Sequence, residues 1–204
     1  MGTWECEVVE DGSDEVRKTM PRTFETHYCS GDEGNSVAFV FACPGGDEAI
    51  AKQPVSGATG DNLDALLAEL HRLAPTMFPS TERYAYRITN SVTTVFPNEA
   101  STRTTPPVTS VRNRSNILRI SHELTGMTFV IFFGKEAEQA SILLRQLTPS
   151  WRRLDNLPHL GNKGIRNYYR NSHPDMQGVP RRIRDAHRLH LIAQQILLAL
   201  NMST

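Results

Sequence analysis

The sequence predicts an α/β domain, three layers deep (α/β/α), with helices on both faces of a central, mostly parallel four-stranded sheet. Two observations carry this. Short apolar runs end in glycine, proline or polar residues and are followed by segments with Leu, Ile and Ala at helical spacing, and this unit recurs along the chain. The chain has 204 residues, 39% of them hydrophobic, enough for one sizeable core, so a single domain is expected.

Residues 1–35 are acidic and poorly periodic, with Gly12-Ser13-Asp14 and Gly31-Asp32-Glu33-Gly34 as turn clusters. They read as a leader without assigned chemistry, free to dock on a domain spanning residues 36–204. Val37 to Phe41 is a continuous apolar run, a buried strand, and Cys43-Pro44-Gly45-Gly46 turns the chain at its carboxyl end. A long loop then leads to a helix at Asp61, with Thr59 or Asp61 as its cap and Leu63, Leu66, Leu67, Leu70 and Leu73 inward.

Tyr84 to Asn90 alternates as a strand and opens a long Ser/Thr/Pro-rich loop, Ser91 to Thr109. Loops of that length in a compact domain are functional or disordered. A helix from about Ser110 carries Ile117, Leu118, Ile120 and Leu124. Met127 to Phe133 is the strongest buried-strand signal, and Gly134 turns it into a helix with Ala137, Ala140, Leu143, Leu144 and Leu147. Trp151 to Gly164 reads as an irregular basic connection, since Gly161 and Gly164 alone do not make a nucleotide-binding loop. Ile165 to Asn171 is a short last strand with Tyr168 and Tyr169 on opposite faces. The loop Ser172 to Gly178 follows, then a helix from Pro180 to Leu200 with Ile183, Ala186, Leu189, Ala193, Ile196, Leu197 and Leu200 inward.

Charge narrows the function classes. The chain carries 22 acids and 22 bases, but residues 1–48 hold 11 acids and 3 bases, whereas residues 103–204 hold 15 bases and 6 acids. A basic carboxyl half suits a phosphate-bearing partner, and equally a solvated arginine face. Arg181, Arg182, Arg184 and Arg188 open the last helix, where the helix dipole disfavours cations, so an anionic partner explains them better than helix stability does. Cys6, Cys29 and Cys43 lack CxxC spacing, which argues against a cysteine-bound metal and for a reducing cytoplasm. No run reaches the roughly 18 apolar residues of a membrane span. No metal or other cofactor is expected.

Three loops then meet at one sheet edge: Ala42 to Thr59, Asn90 onward, and His173 to Gly178. An apolar strand with xxPGxDE and xxPxxG, then strand-TN, then FFGKEA, then HPxxxG resembles, in that order, the uracil-DNA glycosylase superfamily, in particular its shorter bacterial branches, from about Val37 to Leu200. The resemblance implies a monomeric, monofunctional DNA glycosylase acting on DNA without a cofactor. Cys43, Pro44, Val55 and Asn90 would border the flipped base, with Asn90 reading its Watson–Crick edge through a donor and an acceptor. His173 would donate to the base carbonyl as charge develops there. Gly45 would let the backbone approach the nucleotide, Met176 would wedge the stack or simply pack its loop, and Ser56, Ser172, Arg181 and Arg182 would hold phosphates.

Two departures qualify the match. The position that in many relatives carries a water-orienting carboxylate or Asn is Ala42, leaving Asp47 or Glu48 to reach the water or merely to cap the next segment. The position of the usual stacking aromatic is Val55, which removes a platform worth about 1–3 kcal/mol for a bare base and widens the pocket. With the hydroxyl-rich loop after Asn90, these features favour a bulky modified cytosine of phage DNA, such as glucosylated hydroxymethylcytosine, and hence a defence role. Uracil excision in repair is the alternative. A modified-DNA or single-stranded-DNA binding module without catalysis, and a small-molecule nucleoside or phosphate hydrolase, are the rival classes.

Overall fold

Apolar runs of five residues with both faces buried build the centre of the domain. In the computed structural model, which describes residues 22–97, 104–148, 150–169 and 178–201, these are strands β3 (Val37–Phe41) and β5 (Phe129–Phe133), buried at every position. They pair in parallel with each other, and β3 pairs in parallel with β4 (Arg87–Asn90). Alternation sends their side chains to two cores. Phe39, Phe41, Ile131 and Phe133 meet helices α2 (Gly57–Leu73) and α7 (Arg181–Asn201), whereas Ala38, Val40, Val130 and Phe132 meet α4 (Arg114–Glu123) and α5 (Lys135–Leu144). Among the described residues there are also three shorter helices: α1 (Gly46–Ala51), α3 (Val108–Val111) and α6 (Asn162–Tyr168).

The sheet is larger than the four strands expected. Among the described residues it has six, in the order β1 (Phe24–Glu25), β2 (Tyr28–Cys29), β4, β3, β5, β6 (Arg152–Leu157). The additions are an antiparallel hairpin, β1 and β2, laid on β4, and the edge strand β6, parallel to β5. Residues 24–29 of the acidic leader are thus built into the sheet. The segment read as an irregular connection holds β6, and Ile165 to Tyr168 of the expected last strand belong instead to helix α6. β6 escapes the apolar rule because an edge strand buries one side only and tolerates charge. Arg152 donates to Leu200 O and Arg153 to Thr148 O, which ties the polar strand down.

Boundaries shift for identifiable reasons. The strand expected from Tyr84 begins only at Arg87, because Arg83–Ala85 forms a 3-10 turn. Helix α2 starts at Gly57 with Ser56 as its amino-terminal cap, so Thr59 and Asp61 lie inside it and cap nothing. Along α7, Leu189, Ala193, Ile196 and Leu200 are buried, but Ile183 and Ala186 face solvent: the first turns of that helix project beyond the core. Among the described residues no helix is long and apolar enough to cross a membrane.

Candidate active-site cleft

The carboxyl ends of the parallel strands share one cleft of about 290 Å³, the place where open α/β sheets bind ligands. Ala42, Cys43 and Gly45 enter it after β3, Asn90 ends β4, Glu136 comes from the first turn after β5, and His159 stands two residues beyond β6. Thr104 and Thr105 close one side.

Asn90 is 1% exposed, and its side-chain nitrogen is buried without a hydrogen-bond partner. Such an amide costs about 1–3 kcal/mol unless a ligand pairs with it. Its backbone, by contrast, is firmly held: its N–H donates to His27 O at 3.0 Å, and its carbonyl accepts from Arg119 Nη2 at 2.8 Å. Arg119 and Thr89 also donate to Glu123 Oε2, and His27 Nε2 lies 3.2 Å from Glu123 Oε1. Burial opposes the charge of Glu123, but the hydrogen bond from His27 and those from Arg119 and Thr89 outweigh it and lower its pKa below 4.5. Asn116, which accepts from Arg119, donates in turn to Ser91 O. The polar network behind β4 therefore fixes the residue whose side-chain nitrogen is left unpaired.

The turn after β3 separates the two carboxylates. Glu48 borders the cleft and accepts the Gly45 N–H at 2.9 Å, capping α1. Asp47 is exposed, does not line the cleft, and sits against Gly57 at the start of α2, where a carboxylate is favoured. Cys43 is a thiol rather than a thiolate, because burial, with Glu136 and Glu48 nearby, pushes its pKa up to about 12. Pro44 is buried beneath the turn, and its carbonyl accepts from Phe96 N–H at 2.9 Å.

Val55 lines the cleft with φ 54°, a left-handed conformation that a β-branched residue adopts only under constraint. The constraint is visible: Arg83 Nη1 donates to Val55 O at 2.9 Å while its Nη2 pairs with Asp64 at 2.9 Å, and Tyr84 OH donates to Pro54 O at 3.0 Å. Although Val55 lacks a ring, the cleft does not, since Phe41 and Phe96 both line it.

His159 is the imidazole of this cleft. Its Nδ1 accepts the Gly161 N–H at 2.9 Å, which leaves the proton on Nε2. Burial lowers its pKa below 6.5, against an opposing pull from Glu136, so the ring is neutral at pH 7. Its contribution to stability is therefore complete above pH 6.5 and is lost as pH falls through the depressed folded value. His159→Gln is expected to flatten that acid limb, which urea-unfolding midpoints between pH 5 and pH 8 would reveal. Gly164 matters here because a Cβ at that position would overlap His159 O. Gly164→Ala is expected to displace His159, costing about 1–3 kcal/mol by overpacking, as urea unfolding would measure.

Ser56, Arg181 and Arg182 do not line the cleft. Ser56 occupies the amino-terminal cap position of α2, and its hydroxyl donates to Gln53 O at 3.2 Å rather than bonding to the helix. Arg181 and Arg182 are exposed at the start of α7, Arg181 within 3.6 Å of Asp185. Ser172, His173 and Met176 fall outside the described residues. His159, Glu136 and Phe96 were not read as site residues; the signal for His159 was a polar loop at the carboxyl end of a strand, hidden because that strand itself was unreadable. No protein-family model matches the chain, and no curated protein sequence matches it at a significant level.

Proposed function

We propose that this chain is a DNA glycosylase of the uracil-DNA glycosylase type that hydrolyses the N-glycosidic bond of a flipped, non-canonical pyrimidine and leaves an abasic site. A bulky modified cytosine of phage DNA, such as glucosylated hydroxymethylcytosine, is the favoured substrate, and excision of uracil in repair is the alternative. The buried, unpartnered Asn90 amide at the cleft carries the reading. An amide that pays for burial without a partner is suited to a ligand edge offering the complementary group, and the pairing edge of a base is such a ligand.

The reaction divides among the cleft residues. Asn90 reads the base, and Phe41 or Phe96 offers it an aromatic neighbour. As the bond to the sugar breaks, the base leaves with the bonding electron pair, and water adds to the sugar carbon. Neutral His159, with its proton on Nε2, is the described donor placed to stabilise the departing base, a type of contact worth roughly 3–4 kcal/mol in a transition state. Among the described residues two carboxylates line the cleft, Glu48 and Glu136, and Glu48, on the turn after β3, is the acceptor for the proton of water. Because Ala42 supplies no side chain for that water, the leaving-group contacts carry most of the acceleration.

The absence of a carboxylate at Ala42, with Glu48 already engaged by Gly45, favours one second reading: a module that binds modified DNA without cutting it. Incubating the protein with candidate DNAs and then with alkali separates the two. Strand breaks at the modified base support the glycosylase, and retained binding without breaks supports the module.

A further inference from the structure

Beside the cleft lies a second, larger space that this chemistry does not use. The second cavity measures about 770 Å³ and lies between the start of α5 and the β6–α6 connection. Thr104, Thr105, Glu136 and His159 line both spaces, so the two lie side by side with these residues between them. A pyrimidine held by Asn90 fits the smaller chamber, and the larger one is of a size that takes a further ligand group.

Its lining indicates what that group is. Lys135 and Lys163 are matched in number by Glu136 and Glu138. Balanced charge of this kind gives little attraction to phosphate or another strong anion. The wall offers ammonium donors, carboxylate acceptors, the amide of Asn167 and the half-exposed ring of Tyr168. Sugar hydroxyls donate and accept at once, and the apolar face of a sugar ring packs on an aromatic one. The wall is also fixed in shape. Tyr168 OH donates to Asn156 O at 3.1 Å, and Asn156 adopts a left-handed φ of 62°. That conformation accompanies the register shift in the β5–β6 pairing between Ile131 and Phe133.

We infer that the second chamber receives a neutral, hydroxyl-rich substituent of the sugar class carried by the base, and that Asn167 and Tyr168 determine specificity for it. This rests on the glycosylase reading and adds to it the place and the residues that select a sugar-bearing base.

The test uses one DNA sequence carrying uracil, hydroxymethylcytosine or glucosylated hydroxymethylcytosine at a single site. Asn167→Ala and Tyr168→Ala change exposed positions of a short helix and are expected to fold. Each should lower the ratio of kcat/KM for the glucosylated base over hydroxymethylcytosine about tenfold, the loss of roughly one good contact. An unchanged ratio, including an equal loss on all three DNAs as a strand-supporting wall would give, overturns the inference. Should the wild-type protein release no base at all, the glycosylase reading fails, and the chamber is judged by calorimetry with the free nucleosides. Tighter binding of the glucosylated hydroxymethyl-deoxycytidine, lost in Tyr168→Ala, then sustains it, and equal affinity for both nucleosides overturns it.

Discussion

Asn90→Ala is expected to lower base release by about 10²–10³-fold while leaving the folded protein as stable as before, or more stable. The two effects have one cause. The Asn90 side-chain nitrogen is buried and unpaired in the free protein, so its removal relieves a penalty of about 1–3 kcal/mol. In the proposed complex the nitrogen pairs with the base, so the same substitution would remove that contact. Single-turnover release, DNA binding and urea unfolding of the same variant decide the matter. Lost release with retained DNA binding and an equal or higher unfolding midpoint is the predicted result; a marked drop in stability with normal release would make Asn90 a structural amide.

Arg119→Ala is expected to destabilise the fold by about 1–3 kcal/mol, because the part-buried Glu123 loses its ion-pair partner and keeps only His27 and Thr89. Glu123 is 13% exposed, and Arg119 is both its ion-pair partner and the donor to Asn90 O. Adding Glu123→Leu should recover most of the loss, because removing both charges is far cheaper than removing one. The depressed pKa of Glu123 fixes the sign of the pH dependence. Its contribution is complete above pH 4.5 and disappears as pH falls through the folded value. Urea titrations of the single and double variants at pH 4 and pH 7 measure both. Base release should not return with stability in the double variant, since the Asn90 carbonyl still lacks its donor.

The parts of this fold that are legible in the sequence are those where burial alone dictates composition. β3 and β5 are buried on both faces and read as unbroken apolar runs, and Leu63, Leu66, Leu67 and Leu70 mark α2 by period. Asn90 is legible because a strand ends there before a polar loop. Where polar side chains hold an edge, the signal fails. β6 reads Arg-Arg-Leu-Asp-Asn-Leu because its arginines bond to backbone carbonyls of α7 and of the turn after α5. α6 carries paired tyrosines that suggest a strand, yet only Ile165 of that helix is buried, which leaves almost no period to read. Losing β6 meant losing His159, since a site at the end of a strand is visible only when the strand is. The left-handed Val55 is a further case: its conformation is imposed by Arg83 and Tyr84, nearly thirty residues away.

Mass spectrometry of bases released from a panel of DNAs, with uracil and glucosylated hydroxymethylcytosine side by side, tests the central claim most directly. The predicted result is a free modified pyrimidine in the wild-type reaction, the glucosylated base ahead of uracil, and none from Asn90→Ala. No free base from any DNA with the wild-type protein would contradict the glycosylase reading, and robust release of uracil alone would leave the enzyme but overturn its preferred substrate.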